Sequence, residues 1–419
     1  MNLLWGKMNV DWQQRVDFNR LRKDRVERAH KMLNKHGIGA AIVYNWDSQR
    51  YLSSAYKHVY HRHIPIHYSL LIRDKGFPYV WAWPGLDEER LEEDCPWLEG
   101  RIAGNDIIPQ PWIIRMLDTV KAEKEWKQAA QHIKSIMKEH GVADLPVSID
   151  YASPYLIHAL EDEGLKVVDG NSWMLEARMV KTDDEVTLMA MAATCNEAGY
   201  GMLTRDLRPG MRENDAQAIM AKAIYEAGAD YIEGWVVCSG PRTSPRSLNY
   251  TDRVIRPGEF LTIEACHVTF CGYKVCYDRS FIVGGKPTEL QKATYDVAVE
   301  SHHRAQQLLK PGVTSHDVAR LRPIPDDWKP FKDLEDIRQY RGRWKNHWGG
   351  IGMGWWEPPV CSLNEDEIVL EKNMIIAYHM VYWVKGYEGC AIENTYRITD
   401  EGCEALTKWP YEELMVIGT

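Results

Sequence analysis

The chain has 419 residues, of which 45% are hydrophobic and 26% are charged, a composition typical of folded proteins that excludes a mainly disordered chain. Its 51 Lys and Arg against 60 Asp and Glu give a formal net charge of −9 without a basic tract, so we expect no nucleic-acid partner. No apolar run reaches the roughly 18 residues of a membrane span, no signal-peptide core opens the chain, and its nine Cys form no CxxC pair, which together predict a cytoplasmic protein without a membrane partner.

The first predicted elements belong to a small α/β domain. In residues 25–36 the apolar side chains recur at helical spacing, and a strand-like run follows at residues 40–44. Residues 74–76 lie between two further strand-like runs and have the composition of a tight hairpin turn. A second amphipathic helix is predicted over residues 123–140. We place this domain at residues 1–174.

A second domain is predicted over residues 175–419. Thr182 and Glu185 have the spacing of a capping box and mark the start of a helix. The segment LRPGMRENDA, residues 207–216, recurs as LKPGVTSHDV, residues 309–318, and each copy lies between helical patterns. This repeat predicts a sheet of two related halves with helices on one face, and a functional site between the halves.

Acidic and thiol side chains alternate along a predicted hairpin around Gly272. Side chains two residues apart on a strand share a face, so Glu264 and Cys266 lie together on the first strand. Cys276 and Asp278 lie together on the second strand for the same reason. The hairpin is therefore predicted to bring two acids and two thiols close to one another.

Three more candidates occur downstream: His347 in a predicted loop, and His379 and Glu393 in strand-like runs. Glu, Cys and His suit a borderline-soft ion such as Zn²⁺ or Fe²⁺, whereas an all-oxygen set would suit Mn²⁺ or Mg²⁺. The chain also has 17 Trp and 21 Tyr against 6 Phe. Because aromatic faces attract cations and also fill interfaces, this excess indicates either a cationic ligand or packing contacts.

Several motifs occur in the order found in one known superfamily: LEARMVKTDDE, SGPRTSPRSLNYTDRVIRPGE, GYKVCYDRSFIVGG, GGIGMGWWEPP and ENTYRITDEGCEALTKWPYEE. On these motifs the chain resembles the creatinase/prolidase/methionine aminopeptidase superfamily over nearly its whole length. The resemblance implies an α+β architecture, with a pita-bread C-terminal domain that has an internal pseudo-twofold and a smaller creatinase-type α/β domain before it. It also implies a homodimer.

Metallopeptidases of this superfamily hold two metal ions with two Asp, one His and two Glu. By the resemblance, Glu264 and Cys276 stand at the Asp positions and Gly349 at the His position. His379 and Glu393 stand at the Glu positions. A standard two-metal peptidase site is therefore not expected, and we predict one divalent ion, Zn, Fe or Mn, with a metal-free site as the alternative. The candidate ligands are Glu264, Cys266, Cys276, His347, His379 and Glu393.

Two branches of the superfamily guide the functional expectation. Creatinase keeps the fold without the metal and hydrolyses a guanidinium C–N bond, and Asp278 stands where creatinase holds its substrate. The creatinase histidines are replaced here by Ser247, Gly349 and Trp356. The dimethylsulfoniopropionate lyase branch shares the SGPRT-x-P pattern and has a third acid where Cys266 stands.

We therefore expect a hydrolase that acts on a non-peptide C–N bond of a small zwitterionic or cationic molecule. Asp278 would orient the cation, and Glu393 or Glu264 would transfer protons. His379 would act as a base or as a metal ligand. The expected substrate contacts are Arg279, Tyr273, Trp355 and Trp356. The alternatives are β-elimination at a C–S bond, an Xaa-Pro-type metallopeptidase relative, and a catalytically inactive binding protein.

Overall fold

The computed structural model describes residues 15–55, 68–83, 85–104, 119–151, 154–321, 342–354 and 356–419, with the side chains at 86, 119–122 and 342–347 left out. Within these ranges, none of the helices combines the length and the apolar run that crossing a bilayer requires. The chain divides into two compact units, residues 1–178 and 179–419. The boundary of independently folding domains at 174/175 stays a prediction.

The first unit is built on a six-stranded mixed sheet with the strand order β4-β3-β2-β1-β5-β6. Strands β1 and β2 are antiparallel, whereas β1 and β5 are parallel. Its elements are α1 (Phe18–Lys35), β1 (Ala40–Val43), α2 (Trp46–Ser53), β2 (Tyr68–Ile72), β3 (Tyr79–Ala82), α3 (Leu86–Asp94), β4 (Ile102–Gly104), α4 (Thr119–Glu139), β5 (Val147–Ile149), α5 (Pro154–Asp162), β6 (Val167–Asp169) and α6 (Asn171–Met179).

Local sequence explains the start of this unit. The Asp17 carboxylate accepts hydrogen bonds from the backbone N–H groups of Asn19 and Arg20, so α1 begins seven residues before the predicted helix. Apolar side chains at helical spacing then form its buried face. The hairpin between β2 and β3 has the predicted turn, with Asp74 and Gly76 both at positive φ.

The second unit is built on a ten-stranded sheet whose main path is β12-β11-β13-β14-β10-β8-β7, with β15 beside β14, β16 beside β10 and β9 beside β8. Its elements are α7 (Asp183–Asp206), α8 (Glu213–Glu226), β7 (Tyr231–Ser239), β8 (Glu259–Phe270), β9 (Tyr273–Val275), β10 (Asp278–Val283), α9 (Glu289–Leu308), α10 (Ser315–Ala319), β11 (Gly342–Gly350), β12 (Glu357–Val360), β13 (Ile375–Val384), β14 (Gly389–Ile398), β15 (Cys403–Ala405) and β16 (Val416–Ile417).

The sequence repeat corresponds to a structural repeat. Gly210 and Gly312 both have positive φ and lie in the turns between α7 and α8 and between α9 and α10. The Gly210 N–H donates to the Ile255 carbonyl, and the Gly312 N–H donates in the same way to the Leu370 carbonyl. Two copies of helix, turn and helix with matching contacts confirm the predicted pseudo-twofold.

Helices cover one face of the sheet in this unit. Helix α7 packs on β8 and β9, and α9 packs on β13 and β14. The apolar cluster beneath α9 includes Tyr378 and Met380 of β13 and Ile392 and Tyr396 of β14. Since neighbouring residues on a strand face opposite ways, the side chains between these positions point to the other face, and His379 is among them.

The buried His302 of α9 couples the stability of this packing to pH. Its Nδ1 accepts from the Tyr396 hydroxyl at 2.9 Å, and its Nε2–H donates to the Ile392 carbonyl at 3.0 Å. Burial lowers the pKa of His302 to about 3. The folded state thus binds fewer protons than the unfolded state, so stability falls as the pH drops from the unfolded pKa near 6.5 towards about 3.

When the pH is lowered from 7 to 5, the free energy of unfolding should fall by about 2 kcal/mol less in His302→Gln than in the wild type. Urea unfolding at both pH values measures this difference. The neighbouring His303 is exposed on the same helix, so His303→Gln provides the control and should behave as the wild type. Equal pH dependence of His302→Gln and the wild type would show that His302 does not carry this coupling.

Candidate active site

Four chemically active side chains lie in one row across four neighbouring strands. In the strand register Asp278 of β10 is opposite both Glu264 of β8 and Glu393 of β14. Glu393 is in turn opposite His379 of β13. Residues directly opposite each other in antiparallel strands share a face. The row therefore occupies the face of the sheet that α9 does not cover.

Arg246 supplies the positive charge of this row. Its Nη2 donates to Glu264 Oε2 at 2.7 Å and also forms an ion pair with Asp278 Oδ2. The Arg246 side chain is only 7% exposed. Burial acts to lower the pKa of Arg246, but the charges of Asp278 and Glu264 outweigh burial and raise it, so the guanidinium remains charged.

Asp278 and Glu393, two of the three carboxylates that surround this cation, have raised pKa values. Burial raises the pKa of Asp278 to about 6, although Arg246 opposes the change. Burial, followed by the charges of Glu264 and Asp278, raises the pKa of Glu393 well above its usual value. The Glu393 Oε2 atom is buried and has no hydrogen-bond partner within the described part of the chain. Glu393 is therefore the acid in the row most ready to hold a proton or a cation.

His379 is a neutral imidazole in this environment. Its Nε2 lies 3.2 Å from Asp278 Oδ2, and its Nδ1 lies 3.8 Å from Glu393 Oε2. Nearby acids favour the charged imidazolium, but burial is the larger effect and, with the charge of Arg246, lowers the pKa of His379 to about 3. A neutral imidazole can accept a proton or bind a metal ion.

Three side chains of the row have the geometry of a metal-binding group. Ligand atoms of Glu264, His379 and Glu393 all lie within 4.8 Å of one another. The group has one imidazole nitrogen and two carboxylates, a donor set that suits one Zn, Fe or Mn ion. Among the described residues, the Cys266 and Cys276 thiols do not belong to it.

The two thiols are neighbours of the row rather than members of it. Burial, followed by the charge of Glu264 for Cys266 and of Glu393 for Cys276, raises both thiol pKa values well above the usual range. A protonated thiol is a poor nucleophile and a poor metal ligand. The predicted convergence of these residues on one face is observed, while their predicted role as ligands remains a prediction.

The remaining positions that the sequence analysis singled out lie on or near β11. The backbone of His347 lies in β11 rather than in a loop, directly opposite His379, and its side chain is outside the described part. Gly349 follows two residues later in the same strand, opposite Ala377. Trp355 lies outside the described residues.

Two predicted substrate contacts are engaged in hydrogen bonds within the fold. Arg279 follows Asp278 on the same strand and so faces the opposite side of the sheet. Its guanidinium is buried and donates to the Glu393 carbonyl at 2.7 Å and to Asn394 Oδ1 at 2.8 Å. The buried Tyr273 hydroxyl donates to Glu185 Oε1 at 2.6 Å. Both side chains make contacts within the fold, and their role as substrate contacts stays a prediction that these contacts do not support.

The glycine loop beside the row is fixed by buried charges. The Glu357 carboxylate accepts from the Gly354 N–H at 2.7 Å and pairs with the Lys181 ammonium at 3.1 Å. The two charged side chains are 1% and 0% exposed. The Lys274 ammonium donates to the Met353 carbonyl in the same loop.

We predict that Lys181→Met lowers the free energy of unfolding by about 3 kcal/mol, because Glu357 loses the ammonium that compensates its buried charge. Lys222→Met is the matched control, since the Lys222–Glu226 pair is 64% and 58% exposed and should contribute below about 0.5 kcal/mol. Equal losses in the two variants, measured by urea unfolding, would contradict the prediction.

Comparisons with known proteins agree with this geometry. The model of metallopeptidase family M24 matches residues 187–400, about half of the chain. The uncharacterized hydrolase/peptidase y4tL of Sinorhizobium fredii is 30% identical over 259 residues, 60% of this chain and 62% of y4tL. The dimethylsulfoniopropionate lyase DddP of Roseovarius nubinhibens is 21% identical over 415 residues, 96% of this chain and 88% of DddP.

The fold is shared with solved structures as well. The Xaa-Pro dipeptidase of Bacillus anthracis has a TM-score of 0.72 at 19% identity and covers 94% of this chain and 99% of its own. The chain belongs to metallopeptidase family M24. The predicted superfamily, the α+β pita-bread architecture and the expectation of an enzyme of this superfamily are thereby confirmed.

Arg246 is the residue that reasoning from the sequence missed. The superfamily comparison directed attention to its neighbour Ser247, which accepts from Arg242 at 3.1 Å. The sequence did give one electrostatic indication of such a residue, because three converging buried carboxylates require a cation nearby. The tract holds four arginines, and two of the other three pair elsewhere: Arg242 with Glu213, and Arg253 with Glu259. Sequence alone does not choose among them.

Proposed function

We propose that this protein hydrolyses a C–N bond, other than a peptide bond, in a small cationic or zwitterionic molecule. The observation that supports this most is the charge of the row. Glu264, Asp278 and Glu393 face one guanidinium, from Arg246, and one neutral imidazole. Such a site attracts a positively charged group more strongly than a neutral or anionic one.

The family implies bound metal, and the residues of the row fit one ion. Glu264, His379 and Glu393 would hold it, and Glu393 Oε2, which has no hydrogen-bond partner among the described residues, is a ready ligand atom. Arg246 already holds Asp278 and the Oε2 atom of Glu264, which leaves the other Glu264 oxygen for one ion and argues against a second. A bound divalent ion would supply Lewis-acid polarisation of water or substrate.

The row offers one proton acceptor, the neutral His379, and one proton donor, the protonated Glu393. In the metal-free form, neutral His379 would accept a proton from the attacking water while its oxygen forms a bond to the substrate carbon. Protonated Glu393 would donate its proton to the nitrogen as the C–N bond breaks. Asp278, held by Arg246, would orient the cationic end of the substrate. With metal bound, His379 and Glu393 would be ligands, which leaves Asp278 as the group of the row that could transfer a proton.

A second candidate reaction is β-elimination from a sulfonium substrate. It is favoured by the similarity to DddP, which extends over 96% of this chain. In that reaction a base of the row would remove a proton next to the carboxylate, the C–S bond would break, and the neutral sulfide would leave with the bonding electrons. The substrate carries the same combination of cation and carboxylate.

One substrate panel separates these functions. Purified protein is incubated with creatine, glycine betaine, dimethylsulfoniopropionate and an Xaa-Pro dipeptide, with mass spectrometry of the solution and gas chromatography of the headspace. Release of urea or an amine from a non-peptide substrate supports the proposal. Dimethyl sulfide alone would favour the lyase, dipeptide cleavage would favour a peptidase, and no turnover at all would favour a binding protein. Each of these three results would overturn the proposal.

The predicted homodimer is also part of the proposal. Light scattering coupled to size-exclusion chromatography measures the mass in solution, which should be twice that of a 48.5 kDa chain.

A further inference from the structure

Trp356 has an unusual conformation beside the carboxylate row. Its φ is +57°, a left-handed value that bulky residues rarely adopt. The residue is nonetheless 40% exposed. Residues held at such backbone angles cluster at active sites and ligand-binding sites.

A glycine makes room for the Trp356 ring. A Cβ atom added to Gly349 would overlap the six-membered ring of the Trp356 indole. Gly349 is also the position at which the superfamily comparison expects a metal-binding His. In this chain the space in front of that position is taken by an aromatic ring.

The ring lies on the same face of the sheet as the carboxylate row. Gly349 is opposite Ala377, and Ala377 is two residues before His379 on β13. Residues two apart on a strand share a face and are separated by about 7 Å. The Trp356 indole, which fills the space beside Gly349, therefore lies roughly 7 Å along the sheet from the His379 position.

Described residues on both sides of Trp356 are held by buried contacts. The residues before and after the tryptophan are held by Lys274, through the Met353 carbonyl, and by the Lys181–Glu357 pair. A ring on such a loop does not need to be ordered when a ligand arrives, so less binding free energy is lost.

We propose that Trp356 binds an alkylated onium group of the substrate, a quaternary ammonium or a sulfonium, on its indole face. This inference rests on the cationic substrate of the proposed function and specifies its head group. An alkylated onium has no N–H to donate, so it gains little from hydrogen bonds to carboxylates and more from an aromatic face. The negative charge of the row adds attraction at a distance.

Calorimetric titration with choline and with its neutral isostere 3,3-dimethylbutan-1-ol isolates the contribution of the charge. The wild type is expected to prefer choline, and Trp356→Leu should lose about 3- to 30-fold of that preference. Trp356→Phe should retain part of it because phenylalanine also offers an aromatic face. Gly349→Ala should match Trp356→Leu, since the added methyl group displaces the ring. Circular dichroism verifies that each variant is folded.

The inference is overturned if the wild type shows no preference for choline, or if folded Trp356→Leu keeps the full preference. Its failure is distinct from that of the proposed function. If the protein turns over a panel substrate while Trp356→Leu binds choline as the wild type does, only the role of Trp356 is contradicted. Loss of choline preference in Trp356→Leu without any turnover removes only the hydrolysis.

Discussion

Replacing Glu393 by Gln is expected to lower kcat by about 100- to 10,000-fold on whichever substrate the panel identifies. Glutamine keeps the shape of the side chain, but it cannot carry the proton that burial and the charges of Glu264 and Asp278 favour at this position. With metal bound, the same change removes a ligand, so metal content would fall together with kcat.

The effect of Asp278→Asn should differ in kind. If Asp278 orients the substrate cation, this variant raises KM for the cationic substrate more than it lowers kcat. Glu371→Gln changes an exposed carboxylate of the same unit and should leave both constants unchanged. Wild-type kcat in Glu393→Gln would show that the row is not where the chemistry occurs.

Replacing Arg246 by Met is expected to lower the free energy of unfolding by about 5 kcal/mol. The loss is large because two buried carboxylates, Glu264 and Asp278, lose their shared counter-charge. Urea unfolding at pH 7 measures it. Arg205→Met is the control, since Arg205 is 67% exposed and pairs only with exposed Asp206.

A double-mutant cycle tests whether the loss comes from the charges. Asp278→Asn removes one of the two carboxylates that Arg246 compensates, so the Arg246→Met/Asp278→Asn variant should recover about 1–3 kcal/mol relative to additive losses. Strictly additive losses would mean that Arg246 stabilises the fold through packing alone.

The strand-borne part of the site was predictable from the sequence because strand alternation is a strong constraint. The pattern in β8 and β10 predicts that Glu264 and Asp278 share a face, and the register places them directly opposite each other. The family resemblance then relates His379 and Glu393 to the same row. The repeated Pro-Gly turns predict the pseudo-twofold in the same way.

Other features were beyond the reach of sequence periodicity. Arg246 lies after a short irregular segment that follows β7, where no period fixes the direction of a side chain. Arg279 was predicted to contact the substrate because it is an arginine. Its place directly after Asp278 on a strand, however, already implies that it faces the side of the sheet opposite Asp278. The strained Trp356 depends on a contact with Gly349 that only the folded chain shows.

The most direct measurement is the metal content of the protein. The protein is purified without chelators, incubated with excess Zn²⁺, Mn²⁺ or Fe²⁺ and dialysed, and its bound metal is then measured by mass spectrometry. Because the described row offers one group of three ligands, and Arg246 holds Asp278 and one oxygen of Glu264, no more than one equivalent per chain is predicted, and His379→Ala should reduce it. Two tightly bound equivalents per chain would contradict the assignment of Arg246 as the resident cation of this site.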